Sequence, residues 1–155
     1  MDIDAKAEAG VFVAPSGLPS KRIIFSGTGP MDKDYDDVRS YHNAADKGLA
    51  RAISAGCKAP LLVFAPGQGQ TCRFPQAAVV SVLGAMKAAF VPLEVREDVP
   101  ARAKKVDKLG VYGDEKNHGE KMALARALEA GRVVSRCATP EHFAVELNLK
   151  LYFVS

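Results

Sequence analysis

The residues of this chain that could do chemistry are few and scattered. Its three histidines, His42, His118 and His142, stand far apart. They form neither a His-x-x-x-His pair nor the His-Glu-x-x-His pattern of a zinc peptidase helix. His42 falls beside the apolar stripe of a predicted helix, where a partly exposed structural histidine is the expected reading. His118 and His142 read as surface residues near helix starts. The densest carboxylates are Asp32, Asp34, Asp36 and Asp37. Calcium loops alternate acidic positions in this way, but they add a glycine turn and a distal glutamate, and neither is in place. The aspartates are therefore expected to cap the following helix and meet its positive end, with Asp32 and Asp34 at the front. No metal site is expected.

Cys57, Cys72 and Cys137 are odd in number and contain no Cys-x-x-Cys pair, a usage that fits reduced thiols in a cytoplasmic compartment. Cys57 lies between Gly56 and Lys58 at a predicted helix C-terminus, where the dipole disfavours a thiolate. Cys72 precedes Arg73, with no base in evidence to activate it. Two glycine loops, Gly27-Thr28-Gly29 and Gly67-Gln68-Gly69, end predicted strands just before helices. Backbone amides in such loops can approach a phosphate. Gly27, Gly29, Gly67 and Gly69 are thus the candidate ligand contacts. Neither loop carries the dinucleotide fingerprint or the Gly-Lys-Ser/Thr of a P-loop, so a plain turn is the default.

The elements that would position these residues come from patterning. Tyr35, Val38, Tyr41, Ala45, Leu49, Ala52 and Ile53 recur at the helical period. They predict a long amphipathic helix opening near Asp34 and stopping at Gly56, a left-handed C-terminal position. Pro60 then starts a short apolar run, 61–65, read as a buried strand. Upstream, 11–14 and 21–26 are strand candidates around the Pro15-Ser16-Gly17 turn and are expected to form a hairpin. Downstream, Pro75 opens a helix with a wide apolar face of Ala78, Val79, Val82, Leu83, Met86, Ala89 and Phe90. Gly84 in its middle costs about 1 kcal/mol against alanine, so a close backbone approach is expected there. Residues 90–96 alternate apolar and polar and read as a half-exposed strand, with Pro92 favouring an edge or a strand start. Val106, Leu109, Val111 and Tyr112 suggest a further strand. A helix over about 114–136, a Thr139-Pro140 helical turn and a strand over 147–154 complete the reading.

At 155 residues the chain is long enough for one domain with a proper core. A net charge of +3, from 21 basic and 18 acidic residues, is too mild for a phosphate-backbone surface. Arg102, Lys104, Lys105 and Lys108 form the most basic stretch. It lacks interleaved aromatics and reads as a solvated loop rather than a nucleic-acid surface. No run of about 18 apolar residues occurs, so no membrane span is expected.

Several pieces of sequence, in order, resemble one family. Arg22-Ile-Ile-Phe-Ser-Gly-Thr-Gly-Pro30 followed by Asp34-Tyr-Asp-Asp-Val-Arg39 resembles a strand, turn and helix in the N-terminal domain of leucyl (cytosol) aminopeptidase-like proteins. The resemblance is strongest in the animal branch. Lys58-Ala-Pro-Leu-Leu-Val63 and Val91-Pro-Leu-Glu-Val-Arg-Glu97 fit the later strands. Glu129-Ala-Gly-Arg-Val-Val-Ser-Arg136 resembles the helix connecting to the peptidase domain.

The resemblance implies an α/β fold: a three-layer α/β/α unit with a mixed sheet, macro-domain-like and incomplete at both ends. Residues 1–136 would be the N-terminal domain, including the connecting helix, and 137–155 a tail that leaves the family pattern. It further implies that peptide hydrolysis belongs to a separate peptidase domain holding two divalent metals, zinc or manganese. The Asn-Thr-Asp-Ala-Glu-Gly-Arg motif of that domain is absent from this sequence, so no catalytic or metal-ligand role is carried to any residue and no cofactor is expected in this chain. The implied partners are the peptidase domain and further copies of the same protein, since family members form hexamers. The alternative is a stand-alone macro-like module that takes a nucleotide or an ADP-ribose-type ligand at the four glycines.

Overall fold

The structure, a computed structural model, describes residues 9–17, 20–30, 34–64 and 73–112. The elements predicted at 114–136, 139–140 and 147–154 lie outside the described residues, as do Gly67, Gly69, Cys72, Cys137, His118, His142 and Asp32. The chain is α/β, as expected, with both strand polarities present. Strands β1 (Gly10–Val13) and β2 (Arg22–Phe25) form the expected antiparallel hairpin, with Val11 opposite Ile24 and Phe12 opposite Ile23. Strands β3 (Leu61–Val63) and β4 (Gly110–Tyr112) pair in parallel, with Leu62 opposite Val111. A parallel pair needs a crossover, and helices supply it here.

Helix α1 spans Arg39–Ser54 and α2 spans Ala77–Ala89. Their small residues bring the two backbones close together. Gly84 shows how close. A Cβ there would collide with the His42 carbonyl oxygen of α1 and lie 2.9 and 3.0 Å from the His42 carbonyl carbon and Cα. The glycine that sequence alone marks as unfavourable is thus required by the seam between the helices. Ala45, Leu49 and Ala52 of α1 pack with Ala85 of α2 and with Val106 and Leu109. Ala78 and Val82 pack with Val111 of β4, and Leu62 of β3 joins both clusters. The core therefore lies between the helix pair and one face of the strands.

Gly56 ends α1 as expected, at φ +78°. The Cys57 amide donates to Ala52 O at 3.0 Å and the Gly56 amide to Ile53 O at 2.9 Å, which is the paired bonding of a Schellman stop. At the other end the expectation needs correcting. The helix begins at Arg39 rather than near Asp34, and Tyr35 is 78% exposed instead of lying on the buried stripe. Val38 already has helical dihedrals, and it is Asp37 Oδ1 that accepts from the Arg39 amide at 2.8 Å. Asp37 satisfies that amide because its side chain is two residues away, the reach of a capping acceptor.

Three further expectations change. Residues 90–96 do not form a strand: Leu93–Asp98 is a short helix, α3, preceded by extended Pro92 at φ −56° and ψ 151°. Leu-Glu-Val-Arg-Glu-Asp is rich in helix formers, with Glu94 in the first turn and Arg96 in the last, each matched to its end of the dipole. The strand over 61–65 is shorter and less buried than expected. Leu61 and Val63 are 58% and 55% exposed, and only Leu62 between them turns into the core. The apolar face of α2 is also narrower than predicted, since Leu83 and Phe90 are exposed.

Candidate functional site

Ser26, Gly27, Thr28 and Gly29 follow β2 directly, so the strand fixes where the first glycine loop starts. Ser26 Oγ donates to the Ala44 carbonyl of α1 at 2.7 Å, and a Cβ on Gly48 would sit 3.1 Å from Ser26 Cβ. The loop therefore leaves β2 beside the middle of α1. Residues 30–38 intervene before α1 opens. Gly29 adopts φ +79°, a left-handed conformation that favours glycine. A Cβ on Gly27 would meet Phe25 at 3.7 Å, an ordinary contact. Thr28 Oγ1 donates back to Gly29 O at 3.2 Å, within the loop itself. The second loop, with Gly67 and Gly69, lies outside the described residues.

Of the carboxylates ahead of α1, Asp37 bonds to the helix start. Asp37 Oδ2 accepts from Arg39 Nε at 2.6 Å while Oδ1 holds the Arg39 amide. The side-chain hydrogen bond from Arg39, then the backbone one, lowers the Asp37 pKa below its ordinary value. Among the described residues, no three His, Cys, Asp or Glu side chains converge on a point that could hold a metal ion. His42 is half-buried on α1, its Nδ1 3.4 Å from Asn43 Oδ1.

The other polar contacts fasten elements together. Arg22 of β2 donates to Ala55 O at 2.6 Å, placing a cation at the negative end of α1. Lys105 Nζ does the same for α2, donating to Ala88 O at 3.0 Å and Phe90 O at 2.7 Å. Sequence reasoning placed Lys105 in a solvated basic loop. The signal it missed was a cation sixteen positions beyond a helix end, a separation that only folding closes. Lys104 pairs with Asp107 at 3.3 Å, so part of the basic stretch is neutralised locally. Tyr41, 4% exposed, packs edge-on against Phe64 and Phe74 with centroids 5.7 and 5.9 Å away. Burial raises its hydroxyl pKa, and the nearby Arg73 charge opposes that rise. This cluster is core rather than a catalytic pair.

No described helix is long and apolar enough to cross a membrane. No family model matches the chain, and no solved structure matches it. Among curated proteins, a Caenorhabditis elegans protein named "Putative aminopeptidase" is 41% identical over 139 residues. The match takes in 86% of this chain but only 26% of that protein. The chain thus spans about a quarter of the length of the curated relative it matches.

Proposed function

We propose that this chain is the non-catalytic N-terminal domain of a leucyl aminopeptidase-like protein, with residues 1–136 forming a three-layer, macro-like unit. The observation that carries the reading is the long match, at 41% identity, to a protein of which this chain spans only 26%. The α/β architecture, with a parallel pair crossed by helices, supports it. In the whole protein, two zinc or manganese ions in the peptidase domain would polarise the scissile carbonyl and activate water. The part played by this domain would be subunit assembly and control of access to that site, in the cytoplasm.

Two measurements test this. The purified chain, given a leucine anilide with manganese or zinc, is expected to release no aniline above the blank. Turnover would overturn the non-catalytic assignment. The native polypeptide, isolated with an antibody to this chain and weighed by mass spectrometry, is expected to be roughly three and a half times as long, in keeping with the 26% coverage. A native product that ends at Ser155 would overturn the domain reading.

A further inference from the structure

We draw no further inference here: the strongest candidate, the outer face of the β3–β4 pair where Leu61, Val63 and Tyr112 stand exposed, carries nothing because nothing in the structure shows what covers it.

Discussion

Two glycines carry opposite kinds of constraint, and substitution separates them. Gly84→Ala would gain about 1 kcal/mol from helix propensity on an open helix. Here the new methyl meets the His42 backbone, which cannot swing aside as a side-chain tip can. A net loss of about 1–3 kcal/mol is expected, the usual cost of overpacking. Gly56→Ala meets nothing within 4 Å, so only its positive φ is penalised, at about 1–2 kcal/mol. Urea denaturation of the two variants reads both. A stabilised Gly84→Ala protein would mean that the helices do not approach as closely as described.

Asp37 and Tyr41 give the residue scale a pH signature. Asp37 has a lowered pKa, so its contribution is present above the unfolded-state value and is lost as pH falls through the folded one. Tyr41 has a raised pKa, so its contribution is present below the unfolded-state value and is lost as pH rises through the folded one. Carbon-detected NMR titration should place the Asp37 midpoint below that of an unstructured aspartate. Arg39→Ala should move it back up without fully restoring it, because the backbone hydrogen bond survives. An unmoved midpoint would remove Arg39 as the cause.

At the scale of elements, the helix pair is held by burial more than by charge. Val82 is 1% exposed and faces Val111 across the core. Val82→Ala removes two carbons from that contact, for a loss of about 2 kcal/mol once the cavity is counted. The Lys87–Asp46 bridge links the same two helices at 2.8 Å, but its side chains are 62% and 28% exposed. Asp46→Ala should therefore cost less than about 1 kcal/mol, and less again in high salt. Lys105 is a different case, since one ammonium satisfies two carbonyls at the end of α2. Lys105→Met keeps the aliphatic stem and should lose about 1–2 kcal/mol. Thermal melts of the three variants order these effects, and an Asp46→Ala loss above that of Val82→Ala would reverse the argument.

For the whole molecule, the prediction concerns ligands. The proposed aminopeptidase-domain reading calls for no nucleotide, and the Gly27–Gly29 turn spends its threonine hydroxyl on its own backbone. Calorimetry with ADP-ribose is expected to give no binding heat. Saturable heat that Gly29→Val abolishes would restore the glycine-loop reading in place of the aminopeptidase one.

Local chemistry made several features legible in the sequence. The hairpin follows from two β-branched runs around Pro15-Ser16-Gly17, and the α1 stop from a glycine at the end of an apolar stripe. Gly84 announced a close approach because no local gain explains a glycine inside a helix. The candidate ligand loops were legible only as turns, since a glycine pair states flexibility and not what comes near it. Other features required the fold. Residues 90–96 fit both a strand and a helix, because a short run of mixed polarity satisfies either period. Val91, 3% exposed, is buried, whereas the helix beyond Pro92 buries none of its residues. Which aspartate caps α1 depended on where the chain turned into the helix. The Lys105 bonds, the Ser26 link to Ala44 and the partner of Gly84 join residues distant in sequence, and only tertiary packing brings such groups within bonding reach.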